Sequence, residues 1–226
     1  MHQAVFFDAF NTLFSFQWFR SEEPGTYPMP LACQRVIHNV DSSLQAAYGR
    51  ARAGQPGDAG PLTRLFAGLA DRSGLAHTGP MALLRRQERI FRRWLSVYTD
   101  TLSTLQALSQ ISQLGIISNA WPYLESMLDL LGIREYFRSV IISAKVGFSK
   151  PSPAIFELAL KSLQVQAEQA IFVDDMASNV VVARQLGLHA LWLVRTPLPE
   201  PNIPLPYRNL ERIGSLNQLL PLIAGT

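Results

Sequence analysis

The residues best suited to chemistry stand at the ends of short apolar runs. Asp8 follows Ala4-Val5-Phe6-Phe7 and precedes Phe10, Asn11, Thr12 and Leu13; Ser118 follows Leu114-Gly115-Ile116-Ile117; Asp174 and Asp175 follow Ile171-Phe172-Val173; Lys150 precedes Pro151. A carboxylate such as Asp8 can attack phosphorus and form an aspartyl phosphate, which water then cleaves. That attack brings an anion to an anion, so it needs positive charge. Lys150 is one source. Mg2+ is another, since it favours carboxylate oxygens, backbone carbonyls and phosphate oxygens. Asp8 and Asp175 would supply two of those oxygens, with Asp174 in or beside the coordination shell. Ser118 would bond a phosphoryl oxygen, and amides at the start of the helix after Asn119 would present partial positive charge to the same group.

Each fragment also has an ordinary structural explanation. An Asp after a strand often forms a turn, and a Ser-Asn pair before a helix often caps it. A lone lysine is usually a surface residue. The Asp174-Asp175 pair is harder to explain that way, because adjacent carboxylates beside a buried strand repel unless a cation or hydrogen bonds compensate them. Order, context and mutually consistent roles together favour a catalytic constellation.

These residues need a frame, and the downstream sequence supplies one. From about Leu102 onward, strands expected at 114–118, 139–142, 170–173 and 189–194 alternate with helices expected at 121–131, 151–163 and 176–186. That alternation specifies an α/β fold, a parallel sheet with right-handed crossovers that presents its crevice at the strand ends. Gly132 and Gly187 fall where helices should stop, and Pro151 and Pro153 suit a first helical turn. A short terminal helix is expected at 216–220, with Ser215 as its cap.

The first strand, residues 4–8, is separated from this regular part by a stretch of different character. Residues 15–97 contain no convincing strand: an aromatic, Pro- and Gly-rich opening from Phe16 to Pro30 leads into helical patterns near 31–50, 61–72 and 80–96, with a Gly-rich loop from Arg52 to Gly60. The expected organisation is therefore a Rossmann-like core of residues 1–14 and 98–226 with a helical cap, 15–97, inserted between them.

Composition narrows the function classes. The 226 residues are 48% hydrophobic with a net charge of +3, which places the chain among folded globular proteins. No apolar run approaches the ~20 residues of a membrane helix. The N-terminal apolar stretch is short, lacks a basic flank and contains Asp8, so no signal peptide is expected and the cytoplasm is the default location. A single cysteine, Cys33, excludes an internal disulfide framework. The basic cluster Arg85, Arg86, Arg89, Arg92 and Arg93 lies around an apolar stripe of Leu84, Phe91 and Trp94; it reads as a solvated helix face, with an arginine reaching an anionic substrate as the rival. It lacks the aromatic interleaving of a nucleic-acid module, so neither nucleic acid nor membrane is an expected partner.

Taken together, the motifs resemble those of the haloacid dehalogenase (HAD) superfamily of hydrolases. Phe6 to Phe14 is similar to the first motif, Ile116 to Asn119 to the second, Gly147 to Phe156 to the third and Phe172 to Asn179 to the fourth. The resemblance implies a cap inserted after the first motif, a small-molecule phosphorylated or halogenated substrate, catalytic roles for Asp8, Ser118 and Lys150, and substrate contacts from Thr12 and Asn119. It also implies a magnesium site built from Asp8, the Phe10 carbonyl, Asp174 and Asp175. One position departs from the pattern of the superfamily's phosphatases. They carry a second Asp two residues after the nucleophile to protonate the leaving group and activate water, and here that position is Phe10. Losing a general acid-base costs ~10²- to 10⁴-fold in rate.

An aromatic at that position is similar to the 2-haloacid dehalogenases, whose halide leaves without a proton. Those enzymes, however, carry hydroxyl residues where this chain has Asp174 and Asp175, and a catalytic tyrosine where it has Phe156. A magnesium-dependent phosphatase is therefore the expected activity, either with a good leaving group such as an acyl phosphate or with a proton from His38, Asp41 or Tyr48 of the cap. Dehalogenation through an ester on Asp8 is the first alternative. A catalytically lapsed ligand-binding protein is the second, and the retained Asp8, Lys150 and Asp175 argue against it.

Overall fold

The computed structural model describes residues 2–16, 95–120, 124–196, 199 and 203–224. Its first strand, β1 (Ala4–Phe7), is buried at every position. Such a run carries side chains to both faces of a sheet, so it needs cover on both. Val5 and Phe7 enter one hydrophobic cluster, Ala4 and Phe6 the other.

Two short strands follow in sequence, β2 (Phe14–Phe16) and β3 (Leu95–Val97), and they pair with each other antiparallel, Ser15 opposite Ser96. They correct the expectation that residues 15–97 hold no strand, and the expected helix over 80–96 does not continue through Leu95. Cross-strand pairing decides the conformation of such short segments, and that partner is remote in sequence. Phe16 and Leu95, on either side of residues 17–94, are paired neighbours. The expected helices and loop of the cap, its arginine cluster, Cys33, and His38, Asp41 and Tyr48 lie outside the described residues.

The core then runs α1 (Thr101–Leu108), β4 (Gln113–Ser118), α2 (Leu124–Leu130), β5 (Ser139–Ile142), α3 (Ser143–Val146), α4 (Pro153–Leu163), β6 (Ala170–Asp174), α5 (Ala177–Gln185), β7 (His189–Leu193), β8 (Arg212–Ile213) and α6 (Leu219–Ala224). The sheet order is β5-β4-β1-β6-β7-β8, and every adjacent pair is parallel. Leu105 of α1 and Leu124, Met127 and Leu128 of α2 cover the Val5/Phe7 face, while Ile155, Phe156 and Ala159 of α4 and Val180 and Ala183 of α5 cover the other. This is a Rossmann-like α/β fold. From β1 the chain builds outward through β4 and β5, then crosses back to place β6 on the other side of β1. The topological switch point therefore lies between β1 and β6, where open sheets hold their ligands.

The expected strands and helices of the core agree with these elements to within a few residues. Gly132 (φ 67°) and Gly187 (φ 94°) take the left-handed conformation just after α2 and α5, which glycine adopts without steric cost. Ser215 caps a single 3₁₀ turn, Leu216–Gln218, and Gln218 reaches back to it before α6 begins. Among the described residues no helix is long and apolar enough to cross a membrane.

Candidate active site

Asp8 stands one residue beyond β1, and its amide donates to the Val173 carbonyl of β6 at 2.9 Å. The sheet ladder thus continues just far enough to fix the carboxyl at the switch point. Ser118, the last residue of β4, approaches from the neighbouring strand and donates its hydroxyl to Asp8 Oδ1 at 3.1 Å. Lys150 arrives from the segment before α4, 1% exposed, with Nζ 2.6 Å from Asp8 Oδ1 and 2.6 Å from Asp174 Oδ2. It also lies 5.4 Å from the centroid of the Phe172 ring. A buried lysine is tolerated only when paired, and here two carboxylates hold it.

Asp174 closes β6 and is fully buried. Its Oδ1 accepts the Met176 amide at 2.7 Å, and its Oδ2 accepts Asn179 Nδ2 at 3.0 Å in addition to Lys150. Asp175 is fixed through its backbone, because Trp192 Nε1 donates to its carbonyl at 2.9 Å. Its side chain accepts a hydrogen bond from Asn11.

Asn119 is joined to Lys150 in both directions: its Nδ2 donates to the Lys150 carbonyl at 2.8 Å and the Lys150 amide donates to its Oδ1 at 2.7 Å. That reciprocal pair sets where the lysine's main chain sits. Ser143 steadies the same loop, its hydroxyl accepting the Ala120 amide at 3.1 Å. Residues 121–123, where the expected helix begins, lie outside the described residues. Thr12 is buried, and its hydroxyl has no partner among the described residues. Phe10 sits half-buried against Phe14, ring centroids 5.0 Å apart. Phe156 is fully buried in the core and packs edge-on to Phe172 at 5.1 Å.

Electrostatically the cluster has more negative than positive charge. Burial raises the Asp8 carboxyl, Lys150 pulls it down and Asp174 pushes it up again, leaving it at about 6. Asp175 is raised to about 7 by burial and then by Asp8 and Asp174, against the Asn11 hydrogen bond and Lys150. Burial works to discharge Lys150, yet Asp174 and Asp8 outweigh it and raise its pKa. The lysine remains an ammonium, shared by Asp8 and Asp174.

Among the described residues, no group of three His, Cys, Asp or Glu side chains forms a metal cage. The donors present nevertheless fit Mg2+, which commonly takes one or two carboxylates and fills its other positions with water and substrate oxygens. Asp8 and Asp175, the second raised by the charge of the first, are such a donor set.

Sequence reasoning brought together Asp8, Ser118, Lys150, Asp174 and Asp175, and the fold does place them around one point. It gave no role to Asn179, which orients Asp174, to Trp192, which holds the Asp175 carbonyl, or to Ser143. An Asn in the first turn of a helix after two strand-end carboxylates is a signal for the first; the other two depend on pairings between strands and loops that no local pattern records.

This geometry has counterparts in known proteins. The chain matches the haloacid dehalogenase-like hydrolases over residues 2–187 and belongs to that family of enzymes. It is 35% identical over 101 residues to (S)-2-haloacid dehalogenase 2 of Pseudomonas sp. (strain CBS-3), covering 44% of this chain and 44% of that one. It is 30% identical over 122 residues to Pyrimidine 5'-nucleotidase YjjG of Escherichia coli (strain K12), 53% of this chain and 54% of the relative. The chain thus spans about half the length of these curated relatives. The structure of L-2-haloacid dehalogenase from Xanthobacter autotrophicus superposes with a TM-score of 0.68 at 22% identity, covering 100% of each chain. That likeness is one of fold. Relatives of both activities are present, and the shared class is a HAD hydrolase.

Proposed function

We propose that the chain is a magnesium-dependent phosphatase of small phosphorylated metabolites that works through an aspartyl phosphate on Asp8, within a core of residues 1–14 and 98–226 carrying a cap at 15–97. The observation that carries this reading is the excess of carboxylate: Asp8 and Asp174 share one ammonium, Lys150, and Asp175 stands near enough for both carboxylates to raise it. A site built for a metal-free reaction gains nothing from Asp175, whose charge costs free energy beside Asp8. When bound, Mg2+ would neutralise that excess and the charge on the substrate's phosphoryl oxygens. Asp8, Asp175 and the Phe10 carbonyl would hold it, with Asp174 beside it as the residue that aims Lys150.

The protein's own groups then divide the work. Asp8 attacks phosphorus, a new O–P bond forms, and the bond to the leaving oxygen breaks with its electron pair leaving on that oxygen. Lys150 and Ser118 orient Asp8 in the free protein and are within reach of phosphoryl oxygens that gather charge as the bond breaks. Water then attacks phosphorus, releasing phosphate and restoring the Asp8 carboxylate. Thr12 and Asn119 are the proposed substrate-side residues, Asn119 through the Lys150 main chain that it holds. Phe10 offers no proton, so the leaving group departs as a stable anion, as from an acyl phosphate, or takes a proton from a cap residue.

One observation favours a second reading. The aromatic Phe10 beside the nucleophile suits a halide leaving group, and ester formation on Asp8 would then release chloride from a 2-haloacid. The two readings part in a trapping experiment. With magnesium and beryllium fluoride, the phosphatase forms a stable phosphoryl mimic on Asp8, seen by fluorine NMR and absent in Asp8→Asn; a dehalogenase shows no such signal and instead gains an acid-quenched ester mass with L-2-chloropropionate.

A further inference from the structure

Away from the carboxylate cluster, a second set of polar groups, partly to fully buried, lies behind the turn that follows Asp8. Its centre is Arg195, just past the end of β7. Nη2 of Arg195 donates to the Thr12 carbonyl at 2.6 Å. Nη1 donates to Asp100 Oδ2 at 2.9 Å, and the guanidinium lies 3.7 Å from the centroid of the Tyr98 ring. Asp100 Oδ2 also accepts the Leu216 amide at 2.8 Å. One planar cation therefore joins the turn after Asp8 to the segment before α1 and, through Asp100, to the 3₁₀ turn at Leu216.

The turn itself is narrowly specified. Asn11 is left-handed at φ 58°, a conformation that Asn tolerates at modest cost. Its amide donates to the Phe14 carbonyl at 2.8 Å, while the Leu13 and Phe14 amides both donate to Ala9 at 2.9 and 3.3 Å. The Leu13 carbonyl accepts Thr101 Oγ1 at 2.7 Å and the Tyr98 amide at 3.2 Å. This conformation aims the Asn11 side chain at Asp175.

Stability alone does not account for the arginine. Arg195 Nε and Asp100 Oδ1 are buried without a partner among the described residues, and a buried ion pair left incompletely satisfied contributes little to folding. Its distinctive contribution is geometric, because only a planar fork can hold the Thr12 carbonyl, a carboxylate and an aromatic face at once.

We infer that Arg195 is a positioning residue for the reaction: it clamps the turn Ala9 to Thr12 from behind, and so sets the Phe10 carbonyl and Asn11 that face the cation side of the site. The cation part of this inference rests on the function proposed above; the clamp on the turn does not.

The test compares the full chain with Arg195→Ala, Arg195→Lys and Asp100→Asn, and takes Arg184→Ala as control, since Arg184 donates to the exposed Asn209 carbonyl at 2.9 Å. Amide hydrogen exchange in metal-free protein is read first, then magnesium affinity by calorimetry and the split of kcat from KM on phosphate release. Loss of a charge-assisted hydrogen bond should speed exchange of the Asn11, Leu13 and Phe14 amides about tenfold or more, while the amides of β6 keep the wild-type rate. Magnesium should bind about tenfold more weakly and kcat should fall, with substrate KM at saturating magnesium within about threefold. Arg195→Lys should recover part of each effect and Arg184→Ala should show none. If Arg195→Ala does not fold, Asp100→Asn, which releases the guanidinium without removing it, carries the same expectation. Exchange unchanged in the turn, or raised equally throughout the chain, overturns the clamp; faster exchange with unchanged magnesium affinity overturns its link to the cation. A wild-type protein that neither binds magnesium nor releases phosphate sinks the proposed function instead, and the exchange result still decides the clamp.

Discussion

Two ionisation states dominate the site at the scale of single residues. A folded-state pKa of about 7 for Asp175, against 3.8 ordinarily, means that the folded chain holds this proton more tightly than the unfolded chain does. Stability present below about pH 4 is therefore lost as pH rises through 7. Asp175→Asn should stabilise the metal-free protein by up to ~4 kcal/mol at pH 8 and leave it unchanged near pH 4. Thermal melts at the two pH values check this. Added magnesium should stabilise the wild type at pH 8 and not the variant. Lys150 has the opposite role, because removing one member of a buried pair strands its partners. Lys150→Met should cost ~3–5 kcal/mol at pH 8 and less at pH 5, where Asp8, with a pKa of about 6, can take up a proton; urea titrations at both pH values would show a constant loss if this were wrong. These residues were legible in the sequence because each ends an apolar run or adjoins a proline, and the chemistry of one explains the others. Asn179 and Arg195 were not, since each acts through a contact with a carboxylate or carbonyl that only the fold brings near.

Among the elements, β1 leads into Asp8 and β4 ends on Ser118, and the close approach of the two strands depends on one glycine. Gly115 of β4 lies opposite Phe6 of β1, and a Cβ there would stand 2.6 Å from Phe6 Cδ1, 2.7 Å from Cε1 and 3.4 Å from Leu163 Cδ1. The Phe6 ring is fully buried, so it has no open direction in which to yield. Gly115→Ala should destabilise the chain by ~1–3 kcal/mol through overpacking, and Phe6→Leu should relieve part of that loss in the double variant; a neutral Gly115→Ala melt would contradict this. Strand and helix alternation downstream of Leu102 was readable because parallel strands buried on both faces form continuous apolar runs. β2, β3 and β8 were not. Two- and three-residue strands have too little periodicity to register, and the pairing of Phe14–Phe16 with Leu95–Val97 is set by residues about eighty apart in sequence.

For the molecule as a whole, the fold accounts for the site's location and the carboxylates for its chemistry. The switch point between β1 and β6 brings Asp8 beside Asp174 and Asp175, and the arrival of Lys150 from the α4 side supplies one positive charge, bonded to Asp8 and Asp174, for three carboxyl groups. The chain belongs to the haloacid dehalogenase-like hydrolases, and the charge imbalance is the observation on which the proposed choice between phosphate and halide chemistry rests. The most direct measurement is steady-state turnover on a panel of p-nitrophenyl phosphate, acetyl phosphate, sugar and nucleotide phosphates and L-2-chloropropionate, each with and without magnesium, with Asp8→Asn as control. Magnesium-dependent phosphate release, fastest for acetyl phosphate and abolished in Asp8→Asn, is the predicted result. Chloride release that proceeds without magnesium would contradict it, and would leave Asp175 as a charge with no purpose in the reaction.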